Sequence, residues 1–147
     1  MYFIVEFQNK DLQADHRFQS VQGLKARLIK EEGVKVPRAV FENIILRRAF
    51  EPDSKLVEWC MDTINNKVFK HETITIKLLD NKHELISGWI VTDAIPLGWS
   101  IEELHAQDSK VLIETIELKY KNFQVLNSRG QVIAPKKLKK PKYKHLK

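Results

Sequence analysis

Hydrophobic and polar positions alternate with a period of two over most of this chain and switch clearly to a helical period once, between Asp53 and Val68. At 100° per residue, Leu56, Val57, Trp59, Cys60, Met61, Thr63 and Ile64 fall on one broad face. Lys55, Glu58, Asp62, Asn65 and Asn66 fall on the other. Asp53 or Ser54 can cap the first turn, Pro52 bars an earlier start, and Asn65-Asn66 supplies an end. So wide an apolar face needs a surface to lie on. The expected helix core is Leu56, Trp59, Cys60 and Ile64, packed on a β-sheet.

The rest reads as strand. Phe3, Val5 and Phe7 share one side of an extended segment over residues 2–7, followed by a turn at Asn9-Lys10-Asp11. Arg17 to Ile29 gives one or two strands around Gly23, Glu31 to Arg38 a loop, and Phe41 to Arg48 a further strand. After the helix, Thr73 to Leu78 has the cleanest alternation, and Asp80 to His83 turns it back into Leu85 to Thr92 as a hairpin. Pro96 is expected to end that strand, and Gly98 to Gln107 to be irregular, anchored by Ile101 and Leu104. Lys110 to Tyr120 reads as one long strand whose apolar phase changes from Val111 and Ile113 to Ile116, Leu118 and Tyr120. A bulge near Glu114-Thr115 is the simplest account.

Six to eight strands, one helix and no α–β alternation make the expected fold mainly β, an antiparallel β-barrel or sandwich with one packed α-helix. Several strands are apolar on both parities, as at Leu78-Leu79, Trp89-Ile90-Val91 and Val111-Leu112-Ile113. One helix cannot cover both faces of such a sheet, so part of the surface is expected to meet another copy of the chain.

Charge divides the chain in two. Residues 136–147 hold seven lysines and no acid; with those seven removed from the total of +6, residues 1–135 carry −1. The domain is thus expected over 1–135, with 136–147 a lysine-rich, flexible tail too charged to fold alone. A near-neutral body weakens the case for a basic nucleic-acid surface on the fold itself. No apolar run approaches a membrane span, so membrane insertion is not expected. Residues 1–7 do not read as a signal peptide, and a single cysteine suits a reducing cytoplasm.

The search for chemistry yields no site, so neither an enzyme nor a cofactor is expected. The histidines (16, 71, 83, 105, 145) are scattered, Cys60 has no thiol partner, and no glycine-rich phosphate loop occurs. Ser100, His105 and Asp108 are close in sequence, but spacing in a loop does not make a triad. Glu114 and Glu117 would face opposite sides of a strand. Trp59 and Trp89 read as core, and Trp99 as core, loop anchor or interface.

The order of these pieces from 17 to 126 resembles the tail-tube protein family of contractile phages and bacterial contractile injection systems. Phe18-Gln19-Ser20-Val21-Gln22-Gly23-Leu24 is similar to an early segment of that family, and Asn43-Ile44-Ile45-Leu46-Arg47-Arg48-Ala49 to its N-I-T-L-K-R-G. Leu56-Val57-Glu58-Trp59 resembles its helix. Thr73 to Asp80, Gly88-Trp89 with Asp93 to Pro96, and Ile113 to Leu118 resemble the strands that follow. Three departures stand out: a short segment, Glu31 to Val40, before the N-I-T-L strand; Ala49-Phe50 where glycine is expected; and the lysine tail.

The resemblance implies a structural, non-catalytic subunit assembling as a hexameric ring, with rings stacked into a tube inside a sheath. Its partners would be itself, neighbouring rings, baseplate and sheath. It would assemble in a bacterial cytoplasm and then belong to a phage tail-like particle, of the type VI secretion kind among others. A ring at the baseplate or another minor ring stands beside the main tube subunit. The alternative is a small basic nucleic-acid-binding β-barrel, though nucleic acid is not the expected partner. Candidate subunit contacts are Ile74, Ile76, Leu78, Val111, Ile113, Ile116 and Leu118. Candidate tail contacts are Lys136, Lys137, Lys139, Lys140, Lys142, Lys144 and Lys147.

Overall fold

The computed structural model describes residues 1–15, 18–107 and 111–136, without the side chains of 13–15. Nine strands and one α-helix occur among them: β1 (Tyr2–Phe7), β2 (Ser20–Gln22), β3 (Ala26–Ile29), β4 (Arg38–Phe41), β5 (Ile44–Ala49), α1 (Lys55–Asn66), β6 (Glu72–Leu79), β7 (Leu85–Ile101), β8 (Ile113–Lys119) and β9 (Asn122–Leu126). Every strand pairing is antiparallel.

The main sheet runs β1-β6-β7-β8-β5-β2, with β9 also on β7. Its organiser is β7. The first half of β7 pairs with β6 and β9, the second half with β8, so one strand serves two layers. The crossover lies at Asp93, which has a left-handed φ of 55°, where the β6 register slips. Pro96 does not end this strand. It is buried and pairs with Leu118, and the register slips between it and Gly98, so a residue without an N–H sits where the ladder is already interrupted.

The core lies between the layers. Val5, Phe7, Ile74, Ile76 and Val91 come from one, and Ile44, Leu46, Ile116 and Leu118 from the other. The helix closes it. Ser54 caps α1, its Oγ accepting from Val57 N at 3.2 Å, and Lys67 ends it in a left-handed conformation. Leu56, Trp59, Cys60 and Thr63 are the buried helical residues, whereas Ile64 is half-buried. The indole of Trp59 meets Phe7 edge-on at 6.0 Å and donates from Nε1 to Lys70 O at 2.8 Å.

Short elements differ from the expectation. A 3₁₀ turn spans Lys10–Asp15 beyond the turn at Asn9. The strand expected from Phe41 is two, β4 and β5, broken at Glu42-Asn43. Gly23 is required at that break: its φ is +93°, and a Cβ there would lie 2.0 Å from Asn43 O.

Candidate assembly surfaces

Strand β8 carries a carboxylate into the core. Its pairing with β5 is continuous from Ile44↔Leu118 to Ala49↔Ile113, with no bulge at Glu114-Thr115. Glu114 keeps the inward parity of Ile116 and Leu118 and is fully buried. Opposite it in the ladder, Arg48 donates from Nε to Glu114 Oε2 at 2.7 Å, and Trp99 Nε1 donates to Glu114 Oε1 at 2.5 Å. The Arg48 guanidinium also donates to Ser54 Oγ at 2.6 Å and lies over the Phe18 ring. A buried ion pair so enclosed ties the sheet to the helix cap; nothing about it is presented to a ligand.

The other chemical candidates do not converge. Ser100 is exposed on β7 and His105 pairs with Glu103 at 3.3 Å, while Asp108 lies outside the described residues. Among the described residues no group of three His, Cys, Asp or Glu side chains can hold a metal. Burial, reinforced by the charge of Glu114, pushes the Cys60 thiol from 9.0 up to about 12, which leaves it unreactive at neutral pH. No helix of the described residues is long and apolar enough to cross a membrane.

The expected subunit contacts need correction. Ile74, Ile76, Ile116 and Leu118 are buried inside the subunit and cannot reach a neighbour. Leu78 and Ile113 are half-buried, Ile113 facing away from the core opposite Ala49; Val111 lies outside β8 and is 65% exposed. Leu104, expected as an anchor, is exposed as well. Of the tail lysines, Lys136 is exposed and Lys137, Lys139, Lys140, Lys142, Lys144 and Lys147 lie outside the described residues.

The uncovered apolar surface lies elsewhere. Strands β3 and β4 form a separate two-stranded ribbon. Their register puts Ala26 opposite Phe41 and Leu28 opposite Ala39, so one face of the ribbon is wholly apolar. At the root, Phe41 packs edge-on against Tyr120 and Phe123 with ring centroids at 6.0 and 5.1 Å. Beyond the root, Ala26, Leu28 and Ala39 are exposed, Leu28 to 70%, and the tip adds Val34 and Val36. A two-stranded ribbon is marginally stable alone in water, so an ordered one with a bare apolar face is a surface suited to a partner. The strand expected up to Ile29 is present as β3, whereas its partner β4 starts at Arg38, the last residue of the segment read as loop, so the pairing of the two was not visible in the sequence.

A second uncovered region is a cleft of about 550 Å³ between the end of β7 and the start of β8, lined by Glu102, Glu103, Leu104, His105, Val111 and Leu112. Its arms are held by Glu102 N donating to Ile113 O and Phe50 N to Leu112 O.

Comparison with known proteins gives the geometry a family. The model of the T4-like virus tail tube protein gp19 family matches residues 1–124. No curated protein matches the sequence. Among solved structures, a chain of the anti-feeding prophage baseplate, 6-fold symmetrised, is 22% identical with a TM-score of 0.61, covering 87% of this chain and 94% of that one. A chain of the PVC sheath-tube complex of an extracellular contractile injection system is 24% identical with a TM-score of 0.67, covering 86% and 88%. Hcp1 from Flavobacterium johnsoniae shares the fold at 12% identity and a TM-score of 0.59, covering 90% and 98%.

Proposed function

The chain belongs to the T4-like virus tail tube protein family, and on that premise we propose that it is a structural subunit of the inner tube of a contractile injection system or phage tail, assembling as a hexameric ring. The observation that carries this reading is the β3–β4 ribbon, whose apolar face has no cover from its own subunit. The buried ion pair supports it in a second way: Arg48 and Glu114 are enclosed in the core, where they hold β5 to β8 rather than face a ligand. A repeated head-to-tail contact between two different patches closes a ring when its rotation closes. Similarity to chains from sheath-tube and baseplate complexes supports the sheath, the baseplate and neighbouring rings as partners.

Within the tube, a ring at the baseplate end or another minor ring is the second reading, favoured by the short Glu31–Val40 segment and by the lysine-rich extension. Residues 1–135 are then the ring-forming domain and 136–147 a tether for an acidic surface on a neighbouring component. Assembly takes place in the bacterial cytoplasm before the particle is complete. Family membership favours this reading over a small basic nucleic-acid-binding β-barrel. Electron microscopy of the purified, concentrated chain tests the proposal: rings with six-fold symmetry are expected, and a field of single small particles would overturn it.

A further inference from the structure

We infer that the β3–β4 ribbon of one copy seats in the acidic, apolar cleft lined by Glu102, Glu103, Leu104, Val111 and Leu112 of a neighbouring copy, the other half of a head-to-tail contact; this rests on the ring reading above. The two surfaces match in chemistry. The ribbon segment 25–38 carries Lys25, Arg27, Lys30, Lys35 and Arg38 against Glu31 and Glu32, with Arg38 paired to Glu31 at 2.9 Å, around exposed Leu28, Val34 and Val36. The cleft offers Glu102 and Glu103 around Leu104, Val111 and Leu112, with Leu104 exposed to 72%. Glu102 is engaged by Arg47 of its own subunit. Among the described residues Glu103 is paired with His105 alone, at 3.3 Å, and its side chain is 80% exposed, so it is the carboxylate that faces a basic ribbon.

Each surface is incomplete without the other. The ribbon has an apolar face and a basic rim; the cleft has an apolar floor and an acidic rim. Both lie on one chain, which is what a heterologous contact between identical subunits requires. Apolar burial supplies the affinity, and the opposed charges set the register and disfavour the same patch meeting itself.

The test joins the two surfaces by a disulfide in assembled full-length protein. Leu28→Cys and Leu104→Cys are made in separate chains, mixed, assembled and oxidised with copper phenanthroline. Both positions are exposed, and the native Cys60 is buried and silent. A reducible two-chain product in the mixture, well above either variant alone, is the expected result. Glu103→Lys or Lys35→Glu should raise the concentration needed for assembly about tenfold or more, and the two combined should restore it. Rings that form normally but give no mixed cross-link, or charge variants that assemble like the parent, overturn this contact and leave the ring reading standing. Failure of the unmodified chain to assemble at all overturns both.

Discussion

Arg48 and Glu114 face each other across β5 and β8 with 2% and 0% of their side chains exposed, Nε to Oε2 at 2.7 Å. Through the same guanidinium, the pair reaches Ser54, whose hydroxyl caps α1. Three elements, β5, β8 and α1, are thus held by one buried charge pair and the hydroxyl it reaches. Removing a single partner strands the other charge in the core.

Glu114→Leu or Arg48→Met should therefore each cost about 3–5 kcal/mol. Arg48→Met with Glu114→Leu should cost far less than the sum, because no charge is left buried without its partner. Urea denaturation of the four proteins measures this cycle. Additive losses would show that the pair does not act as a unit.

That pair also marks where the sequence was readable and where it was not. The helix was legible because six apolar positions with Thr63, Pro52 and Ser54 agree on one element. The phase change in β8 was visible too, but periodicity treats a carboxylate as outward-facing, so Glu114 looked like a bulge. Its partner stands 66 residues away in sequence, and no local pattern announces it. Pro96 misled for a similar reason: the bulge that accommodates it is a property of the β7–β8 register. The assembly surface was the least legible part. Clean alternation in Ile74, Ile76, Ile116 and Leu118 identifies the subunit's own core, whereas the exposed apolar face sits on short strands between Gly23 and Pro37 and just beyond.

Trp59 packs on Phe7 and is tied to Lys70 O, so its loss opens the helix–sheet contact. Trp59→Ala should cost about 3–5 kcal/mol and remove the fold, with assembly lost only as a consequence. Thermal melting followed by circular dichroism measures it. A variant that melts like the parent yet fails to assemble would make Trp59 an interface residue.

Burial raises the Cys60 thiol from 9.0 to about 12 in the folded chain. As pH rises, the unfolded chain therefore loses this proton first, and the contribution of Cys60 to stability, complete below about pH 9, declines toward pH 12. Thiol titration with an aromatic disulfide reagent should show no reaction at pH 8 until denaturant is added. Rapid modification of the intact fold would contradict the buried placement.

Residues 136–147 hold the basicity of the chain, and the tether reading makes their contribution electrostatic. Their deletion should leave the melting temperature unchanged and lower assembly onto partner components. The deficit should shrink as salt cuts the screening length below the roughly 10 Å of 0.1 M. Co-sedimentation with sheath or baseplate components across a salt series measures it. Equal assembly with and without the tail at low salt would leave it a solubilising role.

Ring formation is the claim on which the rest depends, and native mass at high protein concentration tests it most directly. Light scattering coupled to size exclusion should return a species of six times the 17.2 kDa chain, or longer stacks of it. A monodisperse monomer at the highest attainable concentration would contradict the account.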